Sequence, residues 1–521
     1  MRILYLDIDS LNPSHLGCYG YHRKTSPTID AIAGRGMRCT NVYCSDAPCL
    51  PSRSALYSGR FGIQTGVVGH GGTAAQPKVE GKDRDFADLL EIESLGFQLQ
   101  RAGFHTAMVS PFGQRHGAHW FYAGFNEMHN TGRYGHESAE QVTPVAAKWL
   151  DDHAAEDNWY LHINYWDVHT PYRVPLEYGE PFAADPLPAW LDDEQLIKRH
   201  QRTAGVHSAL DLNMHSFRQN PAYPRQPAAI TDRPSMRRMI DGYDTAICYV
   251  DDQIRLVVDK LKAAGVYEDT AIIISADHGE NLGELGIYGD HATADDATCH
   301  IPLIIKWPTP DRFPAIAPFT DSSGAPPHTR GKRQVRGSGT TPGRVDDGLH
   351  YHLDLVPTLM ELLGCPSKES WDGQSFAQAL LDGADQGRDE LVISQCAHVC
   401  QRSVRFGQWL YVRTYHDGFF LFPQQMLFDL AADPHELNDV APAHPALCRE
   451  AAWRLGNWHD AQMQKMAGAS NDVVDPLWTV IHEGGPYHTR GVLPKYLDRL
   501  EATGRSDAAA ALRRKYPRLL S

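Results

Sequence analysis

No stretch of the 521-residue chain approaches the ~20 consecutive apolar residues of a membrane-spanning helix, so no membrane partner is expected. Cations are also short: 49 Lys and Arg against 64 Asp and Glu leave a formal charge of -15. Nucleic acid requires a basic footprint and is not expected as a partner. An anionic small molecule stays open, because a few local Arg, Lys and His residues or a metal can reverse the potential inside a cleft. The opening residues, Met1 to Asp9, read as a buried strand and lack the charged, apolar and cleavage regions of an export leader. A cytoplasmic location is therefore expected. Ten cysteines are scattered without zinc-ribbon spacing. The nearest approach, Cys396-Ala397-His398-Val399-Cys400, reads as strand or loop packing, and reduced thiols are the simplest account.

What is present is alternation. Apolar runs at 3–8, 106–109, 159–165, 271–275 and 302–307 alternate with helical patterns at 27–36, 95–102, 141–153 and 236–264. At this length one hydrophobic core is not enough, and two domains are expected. The pattern predicts an α/β domain over 1–385, with a mostly parallel sheet flanked by helices and its chemistry at the carboxyl ends of the strands. Short aromatic-rich strands and helices at 445–466 and 493–515 then predict an α+β subdomain with an antiparallel sheet over 386–521. The stretch 187–234 reads as a lid or rim loop and 309–344 as a surface loop. The tail 475–490 reads as an arm lying over the chain's own site or over a neighbouring subunit, and an oligomer is open.

Four clusters carry chemistry. Asp7 and Asp9 sit two apart at the end of the first strand, so both point to one face. Asp277 and His278 follow the most apolar strand. Carboxylates from two strand ends suit a hard divalent cation. Cys49 precedes a helix-like run with Pro51 in its first turn, where the positive helix end favours anions and activates thiols. Trp166-Asp167-Val168-His169-Thr170-Pro171-Tyr172 ends another strand.

The run Cys49-Leu50-Pro51-Ser52-Arg53, with the trailing Ser58-Gly59-Arg60, resembles the signature of the formylglycine-dependent type I sulfatases of the alkaline phosphatase superfamily. Asp9-Ser10-Leu11 followed by Leu16-Gly17-Cys18-Tyr19-Gly20 matches it as well, as do Ala276-Asp277-His278-Gly279-Glu280 and His169-Thr170-Pro171-Tyr172. The resemblance runs on through 302–305 and 353–359 to 427–436. It implies an alkaline-phosphatase-like fold and conversion of Cys49 to formylglycine by a maturation enzyme, formylglycine-generating or anaerobic. It also implies a divalent metal, normally calcium, on Asp9, Asp277 and His278. Ser10 stands where many members carry a second Asp, so Asp7 either reaches the metal or supports the site. Arg53 would stabilise the developing charge, His116 would release sulfate from the enzyme, and His169 and His291 would serve the leaving group.

Two departures stand out. The family's Lys-Trp-His segment is replaced by Ser110 to His116, which makes Arg115 and His116 the candidates for its cation and histidine. Its sulfate-gripping Gly-Lys becomes Gly289-Asp290, with His291 beside it either as an acid or as a helix cap. Asp167 is a candidate to hold the His169 imidazole or a substrate hydroxyl. His70 either touches substrate or is a plain turn residue. The function expected is hydrolysis of a sulfate monoester of a saccharide or aryl alcohol. A phosphonate monoester hydrolase or phosphodiesterase, with manganese or zinc, is the first alternative. A binding protein on the same scaffold is the second.

Overall fold

The computed structural model describes residues 1–78, 89–308, 341–381, 383, 387–469 and 473–520. Most of the expected loop at 309–344 lies outside them. Eight strands form the main sheet, in the spatial order Arg344–Tyr351, Met37–Tyr43, His300–Lys306, Thr270–Ser275, Arg2–Ile8, Trp159–Tyr165, His105–Val109, Glu127–His129. Only His300–Lys306 runs against its neighbours. The central strands are apolar throughout because helices cover both faces, and Leu4, Leu6, Ile163, Ile272, Ile273 and Ile274 are all fully buried. The 31-residue helix Arg233–Ala263 supplies much of one layer, and Asp232 caps its start by accepting from the Ser235 N–H at 2.8 Å. It packs against the helix Ala139–His153. No helix among the described residues is long and apolar enough to cross a membrane.

The second sheet is antiparallel over Gln425–Asp429, Trp409–His416, Cys400–Phe406 and Glu390–Gln395, as the sequence predicts. Its fifth strand comes from far away. Asp46–Ala47 pairs in parallel with Ser394 and Gln395, so the segment entering Cys49 is fastened to the C-terminal sheet. Two expectations change in detail. The helical run at 493–515 breaks into Leu493–Ala502 and Ser506–Lys515 around Gly504, whose φ of +75° suits a residue without Cβ. The stretch 187–234, expected as a lid or rim loop, carries a helix, Glu194–His200, and its residues between 214 and 223 line the side of a cavity, as a rim does.

The tail is pinned by a buried ion pair. Arg402 donates two hydrogen bonds to Asp475, at 2.8 and 2.7 Å. His459 lies 3.1 Å from the same carboxylate, which also accepts from the Leu477 N–H at the start of the helix Pro476–His482. Burial alone would raise the Asp475 carboxyl, but the bonds from His459 and Arg402 outweigh it and hold it below the carboxylate range. A depressed folded-state pKa adds stability that is complete above ~4 and fades as pH falls through the folded value. Asp475→Asn should therefore cost about 3–5 kcal/mol in urea denaturation at neutral pH, with the gap to wild type narrowing in acid.

Candidate active site

The helix Cys49–Ser58 is buried along its whole length. Pro51 fits its first turn, the Ser52 N–H closes onto the Pro48 carbonyl at 2.9 Å, and Gly59 ends it at φ +65°. Ser52 Oγ also donates to the Asp277 carbonyl at 2.6 Å, which locks the helix onto the loop after the strand Thr270–Ser275. Cys49 thus stands at the positive end of a fixed helix, at the carboxyl edge of the main sheet.

One turn along, the fully buried Arg53 gathers three carboxylates. Its Nε and Nη2 bond Asp7 at 2.8 and 3.1 Å, and its Nη1 bonds Asp9 at 3.0 Å and Asp277 at 2.6 Å. The guanidinium lies 4.8 Å from the Phe112 ring centre and 5.4 Å from that of Trp166. Asp7 is engaged twice by Arg53, and His162 Nε2 lies 3.4 Å away, so it stands behind the cluster. Burial pushes the Asp277 carboxyl up, against Arg53 and with help from Asp9 and Asp7. Burial works against Asp9 too, but Arg53, then His169 and His278, keep it below the usual carboxylate range. With all three carboxylates ionised, one guanidinium leaves two negative charges over, the complement of a divalent cation.

The fourth donor fits as well. His278 Nδ1 is 2.7 Å from the Gly279 carbonyl, which fixes its proton there and leaves the Nε2 lone pair free. That Nε2 lies 3.1 Å from Cys49 Sγ, 3.4 Å from Asp277 and 3.9 Å from Asp9. One ligand atom from each of Asp9, Cys49, Asp277 and His278 lies within 4.8 Å of the others. Burial, then Asp9 and Asp277, push the Cys49 thiol well above its ordinary pKa. This environment disfavours a thiolate.

Histidines line the next shell. His291 lies with its ring centre 4.4 Å from that of His278 and 4.9 Å from that of His169. It is no helix cap: Asp295 accepts from Thr298 N–H at the start of the helix Asp296–Cys299. The Nδ1 of His169 is 2.5 Å from the Thr170 carbonyl, so its Nε2 is the free nitrogen. His116 packs at a tilt against Phe112 and His70, and its Nε2 is buried without a hydrogen-bond partner. Arg115 lies over Trp166 at 4.7 Å. His70 is no isolated turn residue, since its Nδ1 meets His488 Nε2 at 3.0 Å. Asp290 is fully enclosed, pushed up to about 7 by burial, and its Oδ1 is 3.7 Å from His398 Nδ1.

Asp167 does not reach the His169 imidazole. It accepts from the Ala139 N–H at 3.0 Å, the first free N–H of the helix Ala139–His153, and burial raises it to about 7. Conversely, His398, which the cysteine spacing suggests is packing, and His488, from the tail, enter the cluster through ring contacts with each other at 4.2 Å. The tail therefore lies over its own chain's site. Arg173 went unmarked in sequence, although it directly follows the His169 motif.

The Sulfatase family model matches residues 2–365. The chain is 25% identical to the multifunctional alkaline phosphatase superfamily protein PehA of Trinickia caryophylli, over 83% of this chain and 89% of that one. Among solved structures, a 2-O GAG sulfatase superposes with a TM-score of 0.62 at 18% identity, covering 90% of this chain and 93% of the other. The phosphonate monoester hydrolase of Agrobacterium radiobacter gives 0.60 at 19% identity, covering 88% and 96%. The mostly parallel sheet, the matched family and the cluster at its carboxyl edge agree: the chain belongs to the sulfatase family, sulfuric ester hydrolases of the alkaline phosphatase superfamily.

Proposed function

We propose that this protein hydrolyses a sulfate monoester through a formylglycine formed from Cys49, with Asp9, Asp277 and His278 holding a divalent cation. The observation that carries this reading is the convergence of Cys49, at a helix start, with two carboxylates and one imidazole whose free nitrogen faces it. The oxygen-rich donor set favours a hard ion, calcium before manganese or zinc. When bound, the ion supplies positive charge beside the nucleophile and the sulfate oxygens. A formylglycine at position 49 would supply a hydrated aldehyde there as the nucleophile.

The chain's own residues do the rest. Arg53 fixes Asp7, Asp9 and Asp277 in one arrangement before substrate arrives. His169, with Nδ1 tied to a carbonyl, offers Nε2 to the leaving oxygen, and His291 stands beside it. His116, whose buried Nε2 has no hydrogen-bond partner, would accept a proton at that nitrogen. Arg115 brings a cation to the sulfate side. Cys49 is only 1% exposed, so its maturation enzyme must act before the chain folds around it.

The likeness to a phosphonate monoester hydrolase keeps one second reading, hydrolysis of phosphonate mono- or phosphodiesters by the same residues. Mass spectrometry of the peptide containing Cys49 should find the aldehyde, and matched aryl esters should react faster as sulfate than as phosphonate. An unmodified thiol in active protein would overturn the nucleophile, and a large phosphonate preference would overturn the substrate.

A further inference from the structure

Beside His169 opens a cavity of about 460 Å³, within the ~300–1,000 Å³ range of small-molecule sites. Its walls carry Arg115, Arg173, Arg218, His136 and His215, and not one Asp or Glu. In a chain with 64 acidic residues and a charge of -15, an acid-free wall is a strong local reversal. Among the described residues, none of the three arginines makes an ion pair.

Arg173 is the telling member. It is 4% exposed, and its Nη1 donates to the Trp166 and His169 carbonyls at 2.8 and 3.2 Å. Its Nε has no hydrogen-bond partner. Asp167 acts on Arg173 only from beyond ion-pair distance. A buried guanidinium without a direct ion pair is costly to maintain, and its fork is built for a planar or tetrahedral oxyanion. Burial and Arg115 together pull even its pKa down to about 10. Burial and then Arg173 press His215 down to about 4, and His136 is lowered by burial and the same arginines. Arg173 and Arg115 thus act on both wall histidines, His136 and His215. Arg218 is exposed at its mouth.

Building on the sulfatase reading above, we infer that the leaving group is itself anionic: a carboxylate or a second sulfate on its alcohol side docks on Arg173 and Arg218. His169 is common to the reaction centre and to this cavity, so the alcohol passes it directly from the sulfate into the basic chamber. A leaving group with a quaternary ammonium finds no carboxylate there to meet it.

The test uses full-length Cys49→Ala protein, which binds without turnover, and calorimetric titration with three sulfate esters of one sugar. The first has an otherwise neutral ring, the second a uronate carboxylate and the third a second sulfate. At least one charged ester should bind roughly 10–100-fold more tightly than the neutral one, with the gain shrinking as salt rises. Whichever arm gains identifies the anion. Arg218→Gln, at the surface, and Arg173→Gln should each remove most of the gain and leave the neutral ester's affinity within about threefold. Equal affinity for all three esters, or a gain untouched by both substitutions, would overturn the inference. Wild-type turnover of the same esters separates the two readings. Turnover without an anion preference defeats only this inference, and an anion preference without turnover defeats only the sulfatase assignment.

Discussion

Cys49→Ala is expected to lower kcat by at least about 10⁴-fold while leaving the fold and the cation site in place. The thiol is buried, and its one polar contact is His278 Nε2 at 3.1 Å. Removing Sγ leaves a small void, and a loss of stability of about 1 kcal/mol follows. Asp9, Asp277 and His278 keep their own bonds to Arg53, Ser10 and Gly279, so a divalent cation should still raise the melting temperature of the variant. What disappears is the only group at the helix start that can become an aldehyde. The surviving rate should reflect electrostatic stabilisation and substrate positioning, and it should be insensitive to co-expression with a maturation enzyme. Steady-state rates on a sulfate ester, measured beside circular dichroism, decide the matter. A variant within tenfold of wild type would place the nucleophile elsewhere.

The parts of this site that can be read from sequence are those attached to regular strands. Asp9, Asp277 and His278 each follow an apolar run that can only be a strand buried on both faces, and in such sheets chemistry gathers at the carboxyl ends. The helix Cys49–Ser58 is legible for the same local reasons: Pro51 in its first turn and Gly59 at its end. Groups assembled by distant contacts are not legible. His70 and His488 meet across 418 residues, and nothing near either announces the other. Asp46–Ala47 is too short for any periodicity, yet it ties the segment entering Cys49 to the C-terminal sheet. Asp167 sits two residues before His169 and looks like its partner. A helix start 28 residues upstream competes for the carboxylate and wins. Arg173 carries no local signal, since a basic residue after a motif is ordinarily a solvated one. Only the acid-free cavity sets it apart from a solvated arginine.

Arg53→Met should produce the largest stability change, and one that depends on the cation. Methionine can occupy the space between Phe112 and Trp166 with little strain, so the effect is chiefly electrostatic. In chelator, three buried carboxylates lose their shared counter-charge, and the expected loss is about 3–5 kcal/mol or more by urea denaturation. Burial opposes the charged forms of Asp7 and Asp9, and Arg53 is the main group holding both below the usual range. The stability Arg53 lends through them is therefore complete above ~4 and is lost as pH falls. The variant's deficit should accordingly shrink in acid, where these carboxylates are neutral. Calcium should stabilise the variant more than wild type, because the uncompensated charge it meets is larger. Equal stability in chelator, or an equal shift on adding calcium, would mean that the guanidinium and the cation do not balance the same carboxylates. If the responses differ as expected, Arg53 has a second task besides the reaction: it holds the charged cluster together in the chain before the metal arrives.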